Sequence, residues 1–121
     1  MESILIVDDD INLCNALSDE LKEVGYETDF VSDGNQALTF LTEKQVDLVL
    51  LDLKMPGKDG FEVLKEMGEK SIKSKVIVLT AYADVKSAID SAKMGASDFI
   101  SKPYDLDELL ITIRKVLQKD V

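Results

Sequence analysis

The sequence contains no histidine, and this absence excludes several kinds of chemistry. Without an imidazole, the chain has no Ser-His or Cys-His nucleophile, no histidine metal ligand and no histidine phosphocarrier. Any chemistry carried by these residues must therefore use carboxylates, hydroxyls and lysines.

Cysteine is nearly absent as well. The single residue, Cys14, cannot form a disulfide within the chain. It shares an apolar stripe of helical spacing with Ile11 and Leu17, which favours a small buried hydrophobic side chain.

Long apolar runs and positive charge are also scarce. No aliphatic run exceeds four residues, so we expect neither a signal peptide nor a transmembrane segment, and we expect a cytoplasmic location. The 14 basic and 24 acidic residues leave a net charge of −10, which argues against direct contact with nucleic acid or an anionic membrane. The 121 residues suit one domain, which we place at residues 1–121.

Short apolar runs alternate with longer amphipathic segments along the chain. Strands are predicted at residues 3–7, 26–31, 47–51, 76–79 and 98–101. Helical stripes are predicted at residues 11–24, 35–44, 61–67 and 85–92, with a last helix from residue 105. Five βα units predict an α/β fold with a parallel sheet. The first, third and fourth strands are apolar throughout, whereas the second alternates and the fifth is short. This pattern favours a doubly wound sheet in the order 2-1-3-4-5.

Polar residues follow four of the predicted strands. Ligands in such sheets bind beyond the carboxyl ends of the strands, where the strand order reverses. Here that point lies between the first and third strands, so Asp8 or Asp9 should face Asp52. The residues concerned are Asp8, Asp9 and Asp10 after the first strand, Asp52 after the third, Thr80 after the fourth and Lys102 after the fifth.

Carboxylates this close together either have raised pKa values or bind a hard cation. Mg²⁺ is the favoured cation, and Mn²⁺ is an alternative. A metal, a lysine and a hydroxyl around Asp52 would suit a nucleophile that becomes an aspartyl phosphate. A single strand-end aspartate is more often a helix cap, and we expect Asp10 to be one. The joint placement of all these groups at one sheet edge indicates a site.

Four motifs in order extend this interpretation. They are "ILIVDDD" (residues 4–10), "DLVLLDLKMPGKDGFEVL" (47–64), "VIVLTAYA" (76–83) and "GASDFISKPYDLDEL" (95–109). Together they resemble the receiver domain of two-component response regulators, which has a flavodoxin-like (βα)5 fold. The last two motifs resemble receivers of σ54-type transcription activators and also single-domain phosphorelay receivers.

The resemblance implies a role for each site residue. It implies that Asp52 is the phosphoacceptor, and that Thr80 and Lys102 bind the phosphoryl group. It also implies that Asp8, Asp9, Asp52 and the backbone carbonyl of Lys54 hold Mg²⁺. Thr80 and Phe99 match the switch pair, and the peptide between Lys102 and Pro103 is expected to be cis.

The same resemblance implies partners. A sensor histidine kinase or histidine phosphotransfer domain would donate the phosphoryl group, and a downstream output domain or protein would respond. The receiver would catalyse its own phosphorylation and dephosphorylation, although it is not a conventional enzyme. The output surface would be the fourth helix, fifth strand and fifth helix, where a homodimer could also form. Candidate residues for donor docking are Ile11, Asn12, Cys14 and Pro103; core packing is the equal alternative for Ile11 and Cys14.

Two other functions remain open. Asp8 and Asp10 have the Asp-x-Asp spacing of haloacid-dehalogenase-like phosphohydrolases, in which Asp8 would be the nucleophile. Against this, Asn12 stands where a Thr or Val is usual, and the chain is short for that fold with a substrate cap. The other alternative is a degenerate receiver that acts only as an interaction module.

Overall fold

A computed structural model describes residues 1–118 and shows five parallel strands in one sheet, in the order β2-β1-β3-β4-β5. The predicted fold class and strand order are therefore confirmed. The strands are β1 (Ser3–Val7), β2 (Glu27–Val31), β3 (Leu48–Leu51), β4 (Lys75–Thr80) and β5 (Asp98–Ser101). The helices within the described residues are α1 (Ile11–Glu23), α2 (Gly34–Glu43), α3 (Gly60–Glu69), α4 (Val85–Lys93) and α5 (Leu106–Gln118).

The central strands are buried on both faces, which is why their sequences are apolar without alternation. Successive side chains of β1 point to opposite faces, so Leu5 and Val7 pack with α2 and α3. Ile4 and Ile6 pack on the other face with α1 and α5. Each fully buried Leu or Ile contributes about 1.5–3 kcal/mol by leaving water, so these strands are a main source of stability.

The two edge strands differ from the central ones as predicted. β2 has no fully buried residue, and Phe30 remains 37% exposed. β2 begins one residue later than predicted because the Tyr26 N–H bonds the Leu21 carbonyl and closes α1 instead. β4 is longer than predicted at both ends, since Lys75 pairs with Leu48 and Thr80 pairs with Ser101.

Aspartates begin the helices. The side chains of Asp10, Asp33, Asp59 and Asp84 each accept a backbone N–H from the first turn, which satisfies a donor that the helix itself cannot. The Asp105 carboxylate likewise accepts the N–H groups of Asp107 and Glu108, so α5 starts one residue after the predicted position. No helix among residues 1–118 combines the length and apolarity needed to cross a membrane.

Candidate functional site

The strand register brings the polar strand ends together at one edge of the sheet. Val7 of β1 pairs with Leu51 of β3, so Asp8 and Asp52 follow directly opposed residues. The backbone continues this pairing beyond the strands, since the Asp52 N–H donates to the Val7 carbonyl at 3.0 Å. On the other side, the Lys102 N–H donates to the Thr80 carbonyl at 2.9 Å. The predicted convergence at the point of strand reversal is therefore present.

Three carboxylates meet at this edge. One oxygen from each of Asp8, Asp9 and Asp52 lies within 4.8 Å of the others. Asp8 and Asp52 are buried, at 2% and 7% exposure, whereas Asp9 faces solvent. Mg²⁺ binds oxygen at about 2.1 Å, so two ligands on opposite sides of the ion lie about 4.2 Å apart. The spacing and chemistry of these carboxylates fit a hard divalent cation with one side open to water.

Lys102 is the cation that the protein itself places among these carboxylates. Its Nζ lies 2.6 Å from Asp8 Oδ2 and 3.3 Å from Asp52 Oδ2. The sequence predicted a lysine beside Asp52, and the Lys102 ammonium lies there, but its nearest partner is Asp8 at the end of β1.

Burial and ion pairing shift the pKa values of Asp8 and Lys102 in opposite directions. Burial raises the pKa of the Asp8 carboxyl, and the hydrogen bonds from Lys102 and from the Asp10 N–H offset this only in part. Burial alone would lower the pKa of Lys102, but its hydrogen bond to Asp8 and the charge of Asp52 outweigh that effect and raise it. Lys102 therefore remains an ammonium, and Asp8 carries its negative charge at some cost.

The Asp52 carboxylate is held on both oxygens. Oδ1 accepts the Lys54 N–H at 3.3 Å, while Oδ2 faces Lys102. The loop after Asp52 folds back closely, since the Gly60 N–H donates to the Leu53 carbonyl at 2.9 Å. A Cβ on Gly60 would lie 2.4 Å from the Asp52 carbonyl oxygen, so glycine is required there.

Thr80 ends β4, the strand next to β3, and Phe99 lies on β5 opposite Val78. Thr80 is fully buried, and its Oγ1 accepts the Tyr82 N–H at 3.1 Å. Phe99 is half-buried against the hydrophobic cluster on the α2 and α3 face. The Lys54 ammonium lies 4.5 Å from the centroid of the Tyr82 ring, so the loops after β3 and β4 meet over the site. A hydrogen bond with Tyr82 raises the pKa of Lys54.

The candidate docking residues separate into two groups. Ile11, Asn12 and Pro103 are exposed near the site, with Ile11 at 47% exposure. Cys14 is fully buried, and its Sγ donates to the Asp8 carbonyl at 3.4 Å. The prediction that Cys14 contacts a partner is therefore wrong, and its alternative, core packing, holds because this face of α1 lies on the sheet. The peptide between Lys102 and Pro103 is cis, in agreement with the expectation.

A family model for the response regulator receiver domain matches residues 4–114. The chain belongs to this family. As a receiver domain it is 41% identical over 115 residues to the regulatory protein AtoC of Escherichia coli K12. That match covers 95% of this chain and 25% of AtoC, so the receiver domain spans about a quarter of that relative.

Another relative has nearly the same length as the receiver domain. Sporulation initiation phosphotransferase F of Bacillus subtilis 168 is 40% identical over 116 residues, covering 96% of this chain and 94% of that protein. Among solved structures, the response regulator TrrA of Thermotoga maritima in complex with Mg²⁺-BeF superposes with a TM-score of 0.86 and 39% identity. It covers 96% of this receiver domain and 99% of TrrA. The receiver domain thus has the fold and family of two-component phosphoacceptors.

Proposed function

We propose that Asp52 accepts a phosphoryl group from a phosphohistidine of a sensor histidine kinase or histidine phosphotransfer domain. The observation that carries this proposal is the position of the Asp52 carboxylate. It lies beside two further carboxylates and 3.3 Å from the Lys102 ammonium, at the edge of the sheet where the strands end. This arrangement supplies a nucleophile, ligands for a divalent cation and a fixed positive charge at one point.

The residues of the chain have distinct parts in the reaction. A carboxylate oxygen of Asp52 forms the new bond to phosphorus as the bond from phosphorus to the donor imidazole nitrogen breaks, and the imidazole keeps that electron pair. The Lys102 ammonium, 3.3 Å from Asp52 Oδ2, neutralises charge on the phosphoryl oxygens. Mg²⁺ held by Asp8, Asp9, Asp52 and the Lys54 carbonyl would supply further neutralisation of that charge. Mn²⁺ has similar ligand preferences and would serve in its place.

Thr80 and Phe99 form the proposed switch. The Thr80 hydroxyl would exchange its bond from the Tyr82 N–H for one to the phosphoryl group, and Phe99 would fill the space that Thr80 leaves. This is a shift in population between two conformations of one fold.

The output surface is proposed on α4, β5 and α5. α4 buries only Ser91 completely, while Val85 is 75% exposed and Ile89 is 48% exposed. On α5, Ile111 is 59% exposed. These apolar side chains suit an output domain, a downstream protein or a homodimer contact, whose formation would depend on phosphorylation. The family supports a cytoplasmic location for such a module.

Covalent labelling tests the phosphoacceptor. Incubation with acetyl phosphate and Mg²⁺ should label the protein, with the label mapped to Asp52 by peptide mass spectrometry. Asp52→Asn should abolish the label, whereas Asp29→Asn, on the exposed edge strand, should leave it intact. A label on Asp8 that survives Asp52→Asn would favour the phosphohydrolase instead. Failure of the site to saturate with millimolar Mg²⁺ would favour an interaction module.

A further inference from the structure

The loop between β5 and α5 is tied to α1 by one side-chain hydrogen bond. The Tyr104 hydroxyl donates to Glu20 Oε1 at 2.7 Å, and both side chains are half-buried. The Tyr104 ring packs on the hydrophobic cluster formed by α1 and α5. The two residues are 84 positions apart in the sequence, so the bond joins distant parts of the chain.

The Tyr104 hydroxyl keeps the proton that this hydrogen bond needs. Burial raises the pKa of the Tyr104 hydroxyl, and the hydrogen bond to Glu20 raises it further. The phenol therefore stays protonated and donates to the carboxylate at neutral pH.

The bond lies next to Lys102 in the loop. At one end of the loop, the Lys102 N–H is fixed to the Thr80 carbonyl. At the other end, the Asp105 carboxylate is fixed to the first turn of α5. Between them, Pro103 is exposed and has no N–H to donate. Among the hydrogen bonds of the described residues, only that of the Tyr104 side chain ties the middle of this loop to α1.

The position of the Lys102 ammonium depends on where this loop holds its backbone. The side chain has to reach from the end of β5 to Asp8 at the end of β1, with β4 and β3 between them. Three strand spacings of about 4.8 Å separate β5 from β1, which is more than a lysine side chain spans by itself, so the ammonium loses its target when the Lys102 backbone shifts. We propose that Tyr104 and Glu20 are positioning residues, which keep the Lys102 ammonium between Asp8 and Asp52 for phosphoryl transfer. This inference rests on the proposed function of Asp52.

Three variants test the hydrogen bond itself. Tyr104→Phe keeps the ring and removes the donor, and Glu20→Ala removes the acceptor. Each should slow the labelling of Asp52 at saturating acetyl phosphate about threefold to tenfold. This is the change in rate that corresponds to the free energy of one hydrogen bond. Glu20→Gln keeps an acceptor oxygen and should restore most of the rate. Tyr26→Phe is the matched control, because it removes a hydroxyl far from the loop, and should label at the wild-type rate.

A double-mutant cycle tests whether the effect passes through Lys102. In a Lys102→Gln background, adding Tyr104→Phe should not slow labelling further. Additive effects of the two substitutions would overturn the inference, as would a wild-type labelling rate in Tyr104→Phe. A general loss of stability would instead slow labelling in both backgrounds.

An NMR measurement separates this inference from the proposed function. The Lys102 ammonium protons in the ion pair should exchange slowly with solvent, and Tyr104→Phe and Glu20→Ala should both speed that exchange. Unchanged exchange would overturn the positioning role even if Asp52 is labelled. If the wild-type protein is not labelled at Asp52, the proposed function fails, and faster exchange in the variants would still support the positioning of Lys102.

Discussion

Replacing Lys102 with glutamine removes the positive charge that holds two buried carboxylates together. At 2.6 Å from Asp8 and 3.3 Å from Asp52, the ammonium attracts the two carboxylates by about 6 and 5 kcal/mol at an effective dielectric near 20. Much of this attraction is cancelled by the cost of taking the charges out of water. The Lys102 side chain is 17% exposed and that of Asp8 only 3%, so water cannot replace the lost partner well.

The expected loss of stability follows from the buried charge that remains. Removing one partner of a buried ion pair typically destabilises a protein by 3–5 kcal/mol. Because the Lys102 side chain is itself partly exposed, we expect Lys102→Gln to lower the free energy of unfolding in EDTA by an amount at the lower end of this range, about 3 kcal/mol. In a domain of this size the melting temperature should fall by about 10 °C.

The same substitution should increase the affinity of the site for Mg²⁺. Lys102 repels a divalent cation at the carboxylate cluster, so its removal should tighten Mg²⁺ binding. Mg²⁺ should then recover more stability in the variant than in the wild type, since a ligand that binds only the native state stabilises it by RT ln(1 + c/Kd), where c is the free ligand concentration, and this quantity grows as Kd falls. Calorimetric unfolding in EDTA and in a Mg²⁺ series measures both quantities.

Lys44→Gln is the control for this experiment. Lys44 pairs with Asp29 at 3.4 Å, but both side chains are more than half exposed, so the change should be below about 1 kcal/mol and insensitive to Mg²⁺. Equal melting temperatures for Lys102→Gln and wild type in EDTA, or weaker Mg²⁺ binding by the variant, would refute the reasoning.

Further predictions concern the groups around the site. Because burial raises the pKa of Asp8 above its ordinary value, the folded state binds that proton more tightly than the unfolded state. In EDTA, stability should therefore fall as pH rises from about 4 through the raised pKa. Asp8→Asn should be more stable than wild type at neutral pH, a difference that shrinks below pH 4 in urea titrations. Gly60→Ala should cost about 2–3 kcal/mol, because its Cβ would meet the Asp52 and Leu53 backbone, whereas Gly68→Ala, in open space within α3, should stabilise by up to about 1 kcal/mol. Burial raises the pKa of Cys14 to about 11, so a disulfide reagent at pH 8 should react with it only after denaturation. Rapid reaction in the native protein would contradict its burial.

Strand order could be predicted because burial on both faces requires an unbroken run of apolar residues in the sequence. Residues 4–7 and 48–51 are apolar without alternation, as strands covered on both faces must be, and they are the central strands β1 and β3. The cap at Asp10 could be predicted in the same way, since capping is a local bond between a side chain and the next turn, although Asp33, Asp59 and Asp84 cap helices without having been predicted to do so. The site followed from the strand order together with the polar residues that come after four strands, because parallel strands place their carboxyl ends at one edge of the sheet.

The partners of long side chains could not be predicted in this way. Lys102 was expected around Asp52, yet its ammonium lies closer to Asp8, at 2.6 Å, than to Asp52, at 3.3 Å. The pairing of Tyr104 with Glu20 has no local pattern at all, since the two residues are 84 positions apart. The apolar stripe placed Cys14 in the core, whereas the family resemblance made it a candidate for donor docking, and the packing of α1 on the sheet decided for the core.

The sequence by itself determined the α/β fold, the strand order and the group of aspartates at the sheet edge. These depend on patterns that repeat every two to four residues and on the rules of parallel strand connection. Only the tertiary structure decided which carboxylate Lys102 binds, how closely Gly60 approaches Asp52 and which side of α1 is covered. Those contacts are set by how helices pack on the twisted sheet, where a shift of an ångström decides whether two side chains meet.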